Sequence, residues 1–270
     1  MPISLYAHSP CLMEALVKIC TVISLSGGQG KTTTTYCLAR LLAKQGHQVL
    51  AVDCDPQANL TFFLGHDVKP DEPSLFEVLA KTVDIKDGIY STAHNNLFIL
   101  PADRGLFKIS DYLASSGAGA FVLKQRLRQV KDLFDFVLVD VQPSRSQLCL
   151  TAVGAATHAL IPVEANVKGV NSLLDTVGFL DQQSELEAFG GEIIGAIPFR
   201  DRWVGNTQTT DSRETIAAMK ELVEGLRILP TIRESEQFKK ALRQGCLLSD
   251  LGHADLQHPF EQVIEVLCNG

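Results

Sequence analysis

The sequence predicts an α/β protein: a doubly wound, mostly parallel sheet flanked by helices. Three observations predict it. Short apolar runs rich in Val, Ile and Leu recur along the chain, helix-length segments separate them, and the first run leads straight into a glycine-rich loop. With 270 residues and 46% hydrophobic content, the chain can bury one large core. Residues 18–270 are expected to form a single domain, with residues 1–17 as a loose extension.

The first strand is expected within Ile19-Cys20-Thr21-Val22-Ile23-Ser24-Leu25, followed by a helix over Thr32–Lys44. Later strands are expected at Val49–Val52, Leu97–Leu100, Phe136–Val139, Ala159–Val163, Ile193–Ile197 and Leu226–Leu229. Helices are expected over Val122–Leu133, Gly169–Glu187, Ser212–Glu224 and Gln237–Gln244. In such folds ligands gather at the carboxyl ends of the strands, so chemistry is sought there.

Composition removes several function classes. No apolar stretch approaches the roughly 20 residues a membrane helix needs, and residues 1–14 lack the pattern of a signal peptide. The seven cysteines form no Cys-x-x-Cys pair, which fits small buried thiols in a reducing cytoplasm. A net charge of −7 confines any nucleic-acid affinity to a local patch.

Between the first strand and its helix lies Ser26-Gly27-Gly28-Gln29-Gly30-Lys31-Thr32-Thr33-Thr34. Glycines let successive backbone N–H groups turn inward around a polyphosphate, and the helix start adds its positive dipole end. Lys31 would reach the β- and γ-phosphates of ATP, Thr32 would ligate Mg²⁺, and Thr33 would donate to the α-phosphate. The ordinary phosphate-loop pattern fails, because Leu25 stands where it asks for glycine.

The segment instead resembles the deviant Walker A box of the ParA/MinD family, Lys-Gly-Gly-x-Gly-Lys-Thr, at every place but the first. There Ser26 replaces the signature lysine, which in that family crosses a dimer interface to the partner's phosphates. The resemblance covers roughly residues 18 to 250 and implies a ParA-like ATP hydrolase acting as a homodimer.

Further motifs take meaning from that resemblance. Asp53-Cys54-Asp55-Pro56-Gln57 matches the first switch, which makes Asp55 the residue that positions the attacking water and Asp53 a support for Mg²⁺ and the loop threonines. Phe134-Asp135-Phe136-Val137-Leu138-Val139-Asp140 has the Walker B form, with Asp140 on the metal, and Val141-Gln142-Pro143-Ser144 stands at the second switch. Ile197–Arg202 and Leu229–Ser235 occupy the family's adenine pocket, which places Arg200 and Pro230 near the base.

If a cation is still needed in trans, Lys168 is the candidate, opening the helix after Pro162-Val163-Glu164; Arg145 and Arg202 follow it. Arg233, Lys239, Lys240 and Arg243 lie where the family binds non-specific DNA, and Lys239 and Arg243 at i and i+4 share a helix face. The glutamate-bearing end, His258–Leu267, lacks the basic residues of a membrane-docking helix.

Short ParA-type ATPases that position a cargo over the nucleoid are therefore the closest resemblance, above all those that space carboxysomes. Their partners would be non-specific DNA and a cargo adaptor that stimulates hydrolysis. A plasmid or chromosome partition ATPase is the alternative within the family, and an ATP-dependent synthetase is the alternative outside it.

Overall fold

The computed structural model describes residues 17–115 and 117–269. In chain order its elements are β1 (Lys18–Val22), α1 (Lys31–Lys44), β2 (Val49–Cys54), α2 (Asn59–Phe63), α3 (Leu75–Leu79), β3 (Tyr90–Ser91), β4 (Leu97–Leu100) and α4 (Ile109–Ser115). They continue with α5 (Val122–Leu127), β5 (Phe136–Val141), α6 (Gln147–Ala155), β6 (His158–Glu164), α7 (Val167–Glu185) and β7 (Glu192–Asp201). The chain ends with β8 (Trp203–Val204), β9 (Thr207–Gln208), α8 (Thr210–Leu222), β10 (Ile232–Arg233), α9 (Gln237–Gln244) and α10 (His258–Asn269).

Eight strands form one sheet in the order β10-β7-β6-β1-β5-β2-β4-β3. Every pairing is parallel except β3 against β4 at the edge. All six residues of both β2 and β5 are buried, as strands covered on two faces must be. Successive side chains divide between those faces. Leu50 and Val52 join a core with α6 and α7, while Val49 and Ala51 join another with α1, α9 and α10.

β1 lies between β5 and β6; the chain leaves it for β2 on one side, returns to β5, and then crosses through α6 to β6 on the other. The carboxyl end of β1 is thus the point where strand order reverses, and the glycine-rich loop sits there.

Several expectations need correction. Leu226–Leu229 is not a strand: Ala196 N donates to the Arg227 carbonyl and the Ala196 carbonyl accepts from Leu229 N, and then Pro230, which has no N–H, stops the ladder. The edge resumes as β10. The helix expected over Val122–Leu133 ends at Leu127 and tightens into a 3₁₀ turn over Arg128–Val130. Helix α6, capped by Ser146 Oγ accepting from Cys149 N, and the β8–β9 hairpin were not anticipated.

The proposed extension over residues 1–17 lies outside the described residues except for Val17, which packs against the core. No helix among the described residues is long and apolar enough to cross a membrane. The described cysteines are unpaired, with Cys20, Cys37, Cys54 and Cys149 buried, and no group of three metal-ligating side chains occurs among the described residues.

Candidate nucleotide site

The loop after β1 borders a cleft of about 370 Å³ lined by residues 27–33 together with Asp55, Asn59, Pro143, Phe199 and Arg200. Residues 233–236, Phe238, Lys239 and Leu242 close its far side. Two glycines of the loop are conformationally required. Gly28 has φ +82° and Gly30 has φ +89°, and a Cβ on Gly30 would meet the Phe199 ring at 2.6 Å. The ring therefore seats directly under the loop.

Lys31 is buried and its Nζ donates to the Ser26 carbonyl at 3.0 Å, which bends the side chain back over the loop. Burial pulls its pKa down, and the carboxylates of Asp140 and Asp55 push it up. Thr32 Oγ1 donates to Asp140 Oδ2 at 2.7 Å. The other oxygen of Asp140, Oδ1, is buried without a hydrogen-bond partner. Burial first, and the Asp53 carboxylate second, raise Asp140 well above the usual carboxylate range.

A buried carboxylate oxygen with no donor is a costly arrangement that a cation relieves. Thr32 and Asp140 thus present a hydroxyl and an open carboxylate oxygen beside the phosphate loop, an oxygen donor set suited to Mg²⁺ with water completing the shell.

Asp53 is held through both of its oxygens. Its Oδ2 accepts from Thr61 N and from Thr61 Oγ1, both at 2.8 Å, and its Oδ1 accepts from Asp55 N at 3.1 Å. The Asp53 carboxylate thus ties the first switch to Thr61, and it makes no hydrogen bond to Thr32 or Thr33. Ala102 N in turn donates to Thr61 Oγ1 at 3.0 Å. Burial raises Asp53 to about 6 against the pull of the Thr61 and Asp55 hydrogen bonds. Nothing in the sequence pattern singles out Thr61.

Asp55 lines the cleft, and its Oδ1 accepts from Gln57 N at 2.9 Å in a local turn. Arg200 lines the cleft in a left-handed conformation, φ +57°, and pairs with Glu164 at 3.1 Å. Pro230, expected beside it, is exposed and does not line the cleft. The chain runs from Pro230 along the sheet edge as β10 before residues 233–236 reach the site.

Lys168 is exposed in the first turn of α7, whose start is capped by Asn166 Oδ1 accepting from Gly169 N at 2.9 Å. It does not line the cleft of its own chain. Of the four basic residues expected on DNA, Lys240 and Arg243 are exposed on α9 and away from the cleft. Lys239 lines the cleft and pairs with Glu236 at 2.9 Å, while Arg233 also lines it and stacks over Trp203 at 4.1 Å.

The family model described as an AAA domain matches residues 17–188. Maintenance of carboxysome distribution protein A from Gloeothece citriformis is 51% identical over 251 residues, covering 93% of this chain and 97% of its own length.

This chain belongs to that carboxysome-distribution family.

A solved structure of a Cyanothece McdA variant in complex with ATP, 50% identical, superposes with a TM-score of 0.91 over 93% of this chain and 96% of its own. The carboxysome-distribution fold thus accounts for nearly all the described residues. The same scaffold serves a metabolic enzyme. Cobyrinic acid a,c-diamide synthase from Mycobacterium smegmatis, solved with ADP and magnesium, matches at TM-score 0.72 and 29% identity over 84% of this chain and 91% of its own.

Proposed function

We propose that this chain is an ATP-hydrolysing positioning protein that distributes carboxysomes over the nucleoid. The observation that carries the reading is Thr32 bonded to a buried Asp140 that keeps one oxygen open, set beside a glycine loop in a chain 51% identical to a carboxysome-distribution protein.

In this reading the N–H groups of residues 27–33 and the start of α1 bind the phosphates of ATP. Lys31 exchanges the Ser26 carbonyl for the β- and γ-phosphate oxygens, a stronger charge-assisted contact. Thr32 and Asp140 hold Mg²⁺, which when bound neutralises charge developing on the phosphates. Asp55 orients the attacking water; its Oδ2 accepts no hydrogen bond among the described residues.

Ser26 offers a neutral hydroxyl where the family's signature lysine would supply a cation. Lys168 of a second copy supplies it instead: it is exposed, unpaired among the described residues and placed at a helix start. The ATP-bound homodimer binds non-specific DNA through α9 and Arg233, and a cargo adaptor stimulates hydrolysis and release.

The test combines analytical ultracentrifugation, DNA retention and phosphate release. Dimers and salt-sensitive DNA retention in ATP but not ADP are expected; a chain that stays monomeric and off DNA in ATP refutes the positioning reading. Turnover that instead requires an added small-molecule acid or amide donor would favour the synthetase alternative.

A further inference from the structure

Helix α7 is stitched to the phosphate loop along its length. At the root of the loop, Ser24 Oγ and Ser172 Oγ lie 2.9 Å apart, and Leu25 N donates to Thr176 Oγ1 at 3.1 Å. At the tip, Gln29 Oε1 accepts from Glu164 N at 2.6 Å. Glu164 ends β6, two residues before the Asn166 cap of α7, and its carboxylate holds Arg200.

The start of α7 follows Glu164 tightly. A Cβ on Gly169 would lie 1.9 Å from the Glu164 carbonyl oxygen, so no slack separates the helix from the strand end. Gln29 is fully buried, and because Glu164 N can only donate, its amide orientation is fixed with Oε1 toward Glu164. Its Nε2 is then buried with no partner. An unmet buried donor leaves Gln29 a hydrogen bond to gain when the loop around it changes shape.

We propose that the Gln29 side chain is a positioning residue that transmits the state of the phosphate loop, through Glu164, to the start of α7 and hence to Lys168. It does not act on the nucleotide itself. Nucleotide binding reshapes the loop, Gln29 moves Glu164 N with it, and the first turn of α7 is set for the partner subunit. The role of Lys168 in this statement rests on the dimer reading above.

The test uses Gln29→Met, which keeps side-chain length and removes both hydrogen-bonding atoms, with Gln29→Asn as a second variant should the first fail to fold. Amide hydrogen exchange of residues 165–170 is followed with and without a non-hydrolysable ATP analogue. In the unaltered chain the analogue is expected to slow exchange there. In Gln29→Met the slowing disappears while that of residues 27–33, whose backbone N–H groups the substitution leaves in place, persists. Equal nucleotide-dependent slowing in both proteins overturns the proposal.

A second readout is ATP-dependent dimerisation. Gln29→Met is expected to weaken it about tenfold, the size of one lost buried hydrogen bond, and to add nothing further in a Lys168→Gln background. Additive losses overturn the link to Lys168. Full dimerisation of Lys168→Gln alone removes the trans-lysine reading, while the exchange experiment still decides for or against Gln29.

Discussion

Thr32 Oγ1 donates to Asp140 Oδ2 at 2.7 Å, and the second oxygen of that aspartate is buried with nothing to accept from. Asp140→Asn keeps an oxygen for Thr32 and removes the buried charge, so the nucleotide-free protein should unfold at the same temperature or higher. The extra stabilisation from Mg²⁺ added to ATP should vanish. At a hundredfold excess over the dissociation constant that increment is about 2.7 kcal/mol, readable as a shift in Tm by differential scanning fluorimetry. Retention of the Mg²⁺ increment in Asp140→Asn would remove Asp140 from the metal site.

Asp53 gives the nucleotide-free protein a pH signature. Its pKa is raised to about 6, chiefly by burial, so the folded state binds this proton more tightly than the unfolded chain does. The associated stability is present below the unfolded value near 4 and is lost as pH rises through about 6. Asp53→Asn keeps an acceptor for Thr61 and should flatten the dependence of urea-unfolding stability between pH 4 and 7; an unchanged slope contradicts the assignment.

Gly30→Ala combines a left-handed φ of +89° with a Cβ 2.6 Å from the Phe199 ring. Left-handed backbone costs a non-glycine residue about 1–2 kcal/mol, and displacing the ring adds a packing loss of about 1–3 kcal/mol. Fluorescent ATP analogue binding should fall below detection. Gly28→Ala, with a similar φ but open space around its Cβ, should lose less.

Helix α10 turns its apolar face inward. Phe260, Val263, Ile264 and Leu267 are buried in the core that contains α1, so its apolar face is already occupied. Phe260→Ala should cost about 3–5 kcal/mol of folding stability by urea denaturation. A loss below about 1 kcal/mol would mean that α10 detaches from α1.

The six inner strands β1, β2, β4, β5, β6 and β7 were legible because each is built on a short apolar run, and the loop because glycine and lysine spacing follows from phosphate geometry. The Thr61 contact of Asp53 and the placement of Pro230 were less legible, for the same physical reason. Both depend on where a neighbouring segment returns in space: Thr61 folds back onto Asp53, and the edge strand β10 carries the chain past Pro230 before it meets the cleft. Helix α6 is nearly all apolar, and without a polar face its period cannot be read.

The four basic residues expected on DNA fall into two groups, and this separation can be measured. Lys240 and Arg243 are exposed on α9 outside the cleft, whereas Lys239 and Arg233 line it, one paired with Glu236 and the other stacked on Trp203. Lys240→Gln with Arg243→Gln should weaken DNA retention in ATP and lower the salt slope by about 2, since each phosphate contact contributes roughly 0.9, while leaving nucleotide affinity unaltered. Lys239→Gln frees Glu236 beside the cleft, so it should weaken nucleotide binding as well as DNA retention. Fluorescence anisotropy with a short duplex, read against ATP affinity for each variant, separates the two groups. Identical behaviour of all variants in both assays would mean that α9 acts only through the nucleotide cleft and is not a DNA surface.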